Sequence, residues 1–417
     1  MKKFLFILLS IAFTSLSAQS LWTVYNTSNS PLPDNTIRVI ETDTTGNVWI
    51  GTDNGLAKFD GTNWTIIDSS NSGLPVNQIR SIAFDSANHL WVGTLQAGFS
   101  IYDGATWTNY TSLNSLLPDD QVRSITFDAD KTAWIGTTGG VAYLNSEGWI
   151  IYNMFNSPLG ANNVNKIFID ANDTKWIGTV NGGISKKEGN TWTAYKNTNS
   201  GLTDNTVLDL ENDIYGNLWF ATPAQGLGRF NGNSWLYRLD ANSNIPTNTI
   251  SSLEIVKNTD VKYMGTMTKG LLRWNNGLDF DSFTVNNSPI PDNNVTCLKR
   301  TGNGKIWIGT STGGVAVFND TTTFAQVSSV PLLLAENAIK IYPNPVRERL
   351  VVSSRRIAME EIQVVNLMGE IVLEKKYCCW SGDQQQQAID VSNLSAGVYV
   401  LQFKAKDYCV SKRFIKQ

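Results

Sequence analysis

Apolar and polar positions recur along most of this chain with a fixed long period. Trp49-Ile-Gly-Thr, Trp91-Val-Gly-Thr, Trp134-Ile-Gly-Thr, Trp176-Ile-Gly-Thr, Trp219-Phe-Ala-Thr, Tyr263-Met-Gly-Thr and Trp307-Ile-Gly-Thr follow one another at steps of 42, 43, 42, 43, 44 and 44 residues. Each period reads as Asn-x-Ile-x-x-Ile-x-x-Asp, a turn, the Trp-Ile-Gly-Thr run, a Gly-rich loop such as Thr138-Gly139-Gly140, then Val-Ala-x-Tyr, a turn, and Trp-Thr-x-Tyr. Four short strand-like runs in a period of this length predict one blade of a β-propeller, so seven copies predict seven blades.

A second aromatic series keeps the same period: Trp22, Trp64, Trp107, Trp149, Trp192, Trp235 and then Phe283. Together the two series hold twelve of the fourteen Trp, which leaves Trp274 in a third strand and Trp380 outside the repeats. So many aromatics could form a carbohydrate-stacking surface. Their fixed strand positions favour a packing layer between adjacent blades, where buried aromatic area stabilises the ring. The Trp-Thr strand first occurs at Trp22, before any complete unit, and the seventh unit ends in the poor match Phe324-Ala-Gln-Val. An N-terminal strand is therefore expected to complete the last blade and to cover an edge that would otherwise be open.

The two ends of the chain read differently. Met1-Lys2-Lys3, the apolar run Phe4 to Phe13 and the small residues up to Ala18 form a secretory signal peptide over 1–18, too short for a membrane span. No Cys follows the expected cleavage point, so lipid attachment there is not expected. The propeller is assigned to 19–328 and a linker to 329–338. Period-2 strands such as Arg349-Leu-Val-Val and Ile389-Asp-Val-Ser assign a small antiparallel, Ig-like β-sandwich to 339–417. The fold class is all-β.

Composition removes several functions. Charged residues are 17% of 417, the net charge is −3, and His89 is the single histidine. That count excludes His-based triads and multi-His metal sites within one chain. Residues 20–329 hold 19 Lys and Arg against 27 Asp and Glu, while 330–417 hold 12 against 9. An acidic propeller is repelled by nucleic acid and by anionic membranes. The four cysteines, Cys297, Cys378, Cys379 and Cys409, make no disulfide framework, although Cys378 or Cys379 could pair with Cys409 if neighbouring strands bring them close.

Asp43-Thr-Thr-Gly46-Asn47-Val-Trp49-Ile-Gly51-Thr52 with Gly55-Leu56-Ala-Lys-Phe59-Asp60-Gly61 resembles the two-component regulator propeller repeat, and the resemblance covers residues 22 to about 320. In that family the repeat forms periplasmic sensor propellers of hybrid histidine kinases. No transmembrane helix or kinase follows here, so only the family's ligand-binding role is expected to carry over. Tyr342-Pro343-Asn344-Pro345, the Asn-Leu-Met-Gly-Glu hairpin, Leu394-Ser-Ala-Gly-Val-Tyr-Val-Leu and the closing Lys412-Arg413-Phe414-Ile415-Lys416 resemble the C-terminal sorting domain of type IX secretion cargo. That resemblance implies the secretion machinery as a partner, passage through the periplasm, removal of this domain, and release or attachment at the outer cell surface.

Candidate chemistry is sparse. Asp43, Asp85, Asp128, Asp170 and Asp213 precede the central Trp residues, but no copy has the alternating ligands of a calcium loop, so tight turns are expected there. Asn35, Asn77, Asp120, Asn162, Asn205, Asn248 and Asn293 enter each first strand. They could read a polar ligand, although such side chains more often bond the loop backbone. Arg38, Arg80 and Arg123, one residue into three consecutive first strands, break the sevenfold equivalence. With Asn35, Asn77 and Asp120 they are the candidate binding residues for an acidic or polar ligand, against a solvated or ion-paired rim. No catalytic residue, metal ligand or cofactor is expected. The reading is an exported, non-enzymatic module that binds a glycan or a protein; the alternatives are a polysaccharide-cleaving propeller and a structural or adhesive surface component.

Overall fold

The computed structural model describes residues 21–145, 148–257, 259, 261–275, 279–320, 339–354, 359–366, 371–380, 385–405 and 408–417. The expected signal peptide over 1–18 and linker over 329–338 lie outside them. The chain divides into two compact units, the first ending at Asp320.

The first unit is seven antiparallel four-stranded sheets. Six are consecutive meanders over 37–67, 79–110, 122–152, 164–195, 209–238 and 250–283. The seventh joins the strands Val295–Arg300, Ile306–Thr310 and Val315–Phe318 to the N-terminal strand Trp22–Tyr25. Trp22 lies opposite Phe318 and Tyr25 opposite Val315, which is the closure expected from the offset of the two aromatic series. Innermost strands neighbour one another around the ring, the seventh returning to the first.

Three features of the repeat sequence account for this architecture. The Trp-Ile-Gly-Thr strand is buried at all five positions in blade 1. A Cβ on Gly136 would lie 2.6 Å from Val164 Cγ1 of the next blade, so glycine gives the close approach there without displacing that side chain, while blade 5 has Ala221 at the equivalent place. The motif threonine closes the following hairpin from a fully buried position: Thr52 Oγ1 donates to Gly55 O at 2.8 Å and Thr310 Oγ1 to Gly314 O at 2.7 Å. Aromatic side chains then cross from blade to blade. Trp22 touches Phe283 of blade 6 at 5.6 Å, Trp49 touches Phe84 of blade 2, and Trp219 touches Trp274. These contacts are the packing layer expected of the two Trp series.

The aspartates before the central Trp are turn residues, as expected, and they also do something the sequence did not disclose. Asp43 Oδ1 accepts the N–H groups of Thr45 and Asn47 at 3.0 and 2.9 Å, while Oδ2 accepts the Trp49 indole N–H at 3.0 Å. The indole bond recurs at Asp85, Asp128, Asp170 and Asp213. Blade 6 has Val256 at that position and Tyr263 in place of Trp. There the Tyr263 hydroxyl donates to the buried Asp320, which also receives Arg273 Nη1 at 2.7 Å.

The second unit holds two antiparallel sheets. One orders Ile339–Tyr342, Arg349–Ser354 and Gln385–Asp390, and the other orders Ile371–Trp380, Met359–Val365, Gly397–Ala405 and Tyr408–Lys416. Leu350, Val352 and Ile389 from the first pack with Ile362, Val364, Leu401 and Phe414 from the second in one core. Cys378 and Cys379 belong to one edge strand and Cys409 to the opposite edge, with two strands between them. The side chains of these three cysteines lie outside the described ones.

Candidate functional site

The innermost strands of all seven blades line a central channel whose cavity is about 420 Å³. Six of them carry a β-bulge near their start: pairing shifts between Ile37 and Val39, Ile79 and Ser81, Val122 and Ser124, Val164 and Lys166, Ile250 and Ser252, and Val295 and Cys297. A bulge inserts one unpaired residue and re-aims its side chain. The residues inserted are Arg38, Arg80, Arg123, Asn165, Ser251 and Thr296. In blades 4, 6 and 7 this side chain caps a carbonyl of the next blade. Asn165 Nδ2 donates to Val207 O at 2.9 Å, Ser251 Oγ to Val295 O at 2.5 Å, and Thr296 Oγ1 to Ile37 O at 2.7 Å.

Blades 1 to 3 put arginine at the bulge instead, and all three line the channel at the mouth facing the long interblade loops. Arg38 Nε and Nη2 donate to both oxygens of Asp53 at 3.0 and 2.6 Å. Arg80 Nη1 reaches the same carboxylate at 2.7 Å and its neighbour's carbonyl, Ile79 O, at 2.8 Å. Arg123 Nη1 donates to the side-chain oxygens of Asn163 and Asn165 at 3.0 and 2.9 Å, and among the described residues no carboxylate lies within ion-pair distance of it. Burial and the nearby Arg80 charge hold the Arg123 pKa below its ordinary value. Hydrogen bonding from Arg38, opposed by burial and helped by Arg80, holds the Asp53 carboxyl below the usual range. Asp53 follows the motif threonine of blade 1, where the other blades have Leu95, Thr138, Val180, Pro223, Met267 and Ser311. Two of the three guanidinium groups thus share one carboxylate, and the third, Arg123, is held by amide oxygens.

The channel also holds acids on blades 1, 5 and 6 and lysines on blades 4 and 7. Lys166 Nζ pairs with Asp209 at 3.0 Å, and Leu253 N–H donates to the other Asp209 oxygen at 2.9 Å. Lys299 pairs with Glu41, and Ile255 N–H donates to Glu211 at 2.8 Å. Burial, with Glu211 nearby, pushes the Glu254 carboxyl well above its ordinary value. Lys166, Asp209, Glu41, Glu211, Glu254 and Lys299 were not singled out from the sequence. Their signal was charge at innermost-strand positions that a packed strand would fill with small or apolar residues.

The loop-entry series belongs to the loops, not to the channel. Asn35 Oδ1 accepts Thr27 N–H at 2.9 Å, Asn77 accepts Ser69 N–H at 2.8 Å and Asp120 accepts Ser112 N–H at 2.6 Å, each eight residues upstream. Asn162, Asn205, Asn248 and Asn293 repeat the bond. Of the six candidate binding residues the structure therefore brings together the arginines, and it commits the carbonyl or carboxylate oxygens of Asn35, Asn77 and Asp120 to backbone. His89 lies in a turn at the opposite face, with Nδ1 2.9 Å from Asp85. Among the described residues no cluster of His, Cys, Asp and Glu could hold a metal ion, and no helix is long and apolar enough to cross a membrane.

Family models match the chain in two regions. The two component regulator propeller matches residues 31–54, 73–96, 116–139 and 289–312, and the secretion system C-terminal sorting domain matches residues 340–417. The four matched segments are two-component regulator propeller repeats, and the tail is a type IX sorting domain. The sorting domain directs export to the cell surface or medium and implies interaction with the secretion machinery. A search of curated proteins finds no match.

Solved structures agree on the fold. The extracellular domain of the hybrid two component system BT3049 from B. thetaiotaomicron has a TM-score of 0.63 at 20% identity over 95% of this chain and 57% of its own. PorZ, described as an essential bacterial surface component of the type-IX secretion system of Porphyromonas gingivalis, has 0.54 at 15% over 95% and 60%. Virginiamycin B lyase from Staphylococcus aureus has 0.58 at 12% over 71% and 98%. At these identities the likeness is one of fold. The chain spans less than two thirds of the first two, and the third is an enzyme on the same architecture.

Proposed function

We propose that this protein is an exported recognition module that takes an anionic ligand, bearing carboxylate or sulfate groups, at the loop-face mouth of the propeller channel. Arg38, Arg80 and Arg123 would hold it. The observation that carries this reading is that three arginines occupy bulge positions in consecutive blades and line one opening, with Asp53 paired to Arg38 and Arg80 and only amide oxygens on Arg123. Guanidinium groups bind carboxylate and sulfate bidentately, and Arg123 holds only amide oxygens that an anion would outcompete. The mature propeller begins after residue 18 and extends to about 328, a linker follows over 329–338, and residues 339–417 form the address domain.

The reading is non-enzymatic. Catalysis needs a nucleophile, acid or base placed against a substrate site. The channel acids Asp209 and Glu211 instead accept backbone N–H groups, Glu41 is paired with Lys299, and the single histidine sits at the far face. Titrating the purified propeller with poly-L-glutamate, a sulfated glycan and their uncharged counterparts tests the proposal. Binding of the charged probes alone, weakening with salt and without turnover, is expected. Equal binding of charged and uncharged probes would overturn it.

A further inference from the structure

The loop face carries an apolar feature that the propeller fold does not use. In the interblade loops, the third position is Ser28, Ser70, Leu113, Phe155, Thr198, Ala241 and Asn286 in successive copies. Leu113 and Phe155 are 94% and 86% exposed, and the same two loops also expose Leu116 and Met154. Single exposed apolar residues are ordinary, but here two adjacent loops expose two each, with Leu113 and Phe155 at equivalent places. The loops flank blade 3, whose bulge carries Arg123. Hydrogen bonds fix that relation: Met154 N–H donates to Asn162 Oδ1 at 2.8 Å, and the next residue, Asn163, holds Arg123 at 3.0 Å.

We infer that the ligand is an acidic peptide segment with an apolar anchor, its carboxylates at Arg80 and Arg123 and its anchor on Leu113 and Phe155. This rests on the anion-binding reading of the channel mouth. A peptide fits the patch better than a glycan because three of its four side chains, Leu113, Leu116 and Met154, are aliphatic and Phe155 is its single flat ring, where an apolar side chain finds partners and a sugar finds one stacking surface at most. The Trp residues of the repeats, which would offer one, are packed between blades. Each loop runs from an outermost to an innermost strand. Three strand spacings put the anchor about 14 Å from the mouth, so about four or five extended residues separate the two groups at roughly 3.3 Å each.

Synthetic peptides of three glutamates, a Ser-Gly spacer of two to eight residues and a terminal phenylalanine test this against the full mature protein. Affinity should peak at a spacer of four or five and exceed that of the peptide lacking phenylalanine by about tenfold. The double variant Leu113→Ser, Phe155→Ser should lose that gain while binding of poly-L-glutamate stays unchanged. Its melting temperature should also hold, since both side chains are exposed. Anchor peptides that bind no better than triglutamate, or a double variant that binds them as the wild type does, would overturn the peptide inference and leave the anionic site standing. Loss of no binding in Arg38→Ala, Arg80→Ala, Arg123→Ala would overturn the anionic site itself. A uronate or sulfated oligosaccharide that outbinds every peptide and depends on Phe155 alone would assign the surface to glycans instead.

Discussion

Arg80 of blade 2 donates to Asp53 of blade 1 at 2.7 Å, across a blade boundary. The same carboxylate is gripped by Arg38, so one side chain neutralises two cations and leaves Arg123 with amide oxygens alone. An internal anion of this kind holds the arginines extended into the channel and competes with any ligand for them. Its partial exposure keeps the competition mild, because solvent screens exposed pairs.

The Trp-linked turns should carry measurable stability. Burial by itself would raise the Asp43 pKa, but hydrogen bonds from Trp49, Asn47 and Thr45 outweigh it and hold the carboxyl at about 2. Asp43→Asn keeps an acceptor for the turn but turns an amide N–H₂ toward the Trp49 indole N–H. A cost of about 2 kcal/mol is expected in urea unfolding at pH 7. Because the folded pKa is depressed, this contribution is present above about pH 4 and disappears as pH falls toward 2, so wild type and variant should converge there.

Ring closure should depend on the N-terminal strand. Deleting residues 19–30 removes the pairing of Trp22–Tyr25 with Val315–Phe318 and the Trp22 contact to blade 6, and calorimetry should show a marked fall in melting temperature. Thr296→Val should cost less, about 1 kcal/mol, through the hydrogen bond from blade 7 to Ile37 O of blade 1.

Much of this was legible beforehand because each repeat had to satisfy the same contacts seven times. The period gave blade number, and the offset between the two aromatic series gave the closing strand. The Ile37-x-x-Ile40 spacing also held the bulge, since two buried residues three apart cannot share a face at period 2 without an inserted residue. Arg38, Arg80 and Arg123 stood out in the sequence as candidate binding residues against a solvated or ion-paired rim, but plain alternation does not show the bulge that sets them among the channel-lining residues. Asp53 and the channel acids and lysines were not legible, because they depend on which side chains from distant repeats meet at the axis.

Glu254 should make stability fall with rising pH. Its folded pKa is raised by burial and by Glu211, so the folded chain holds a proton that the unfolded chain releases from about pH 4.5 upward. The unfolded state then binds fewer protons, and stability declines through the neutral range. Glu254→Gln should flatten the dependence of melting temperature on pH between 5 and 9 and should be the more stable protein at pH 9.

The tail should be needed for export and not for propeller folding. Truncation after Asn337 is expected to leave a folded propeller in the periplasm, detected by fractionation and protease resistance. Mass spectrometry of the exported protein should find no peptides from residues 342–417.

The most direct test of the anion site is one titration of poly-L-glutamate into wild type, Asp53→Asn and the variant with Arg38, Arg80 and Arg123 all replaced by alanine. Removing the internal competitor should tighten binding severalfold, and removing the arginines should weaken it by at least tenfold, with both differences shrinking at high salt. Affinities unchanged in both folded variants, or weakened by Asp53→Asn, would contradict an anion site at this mouth.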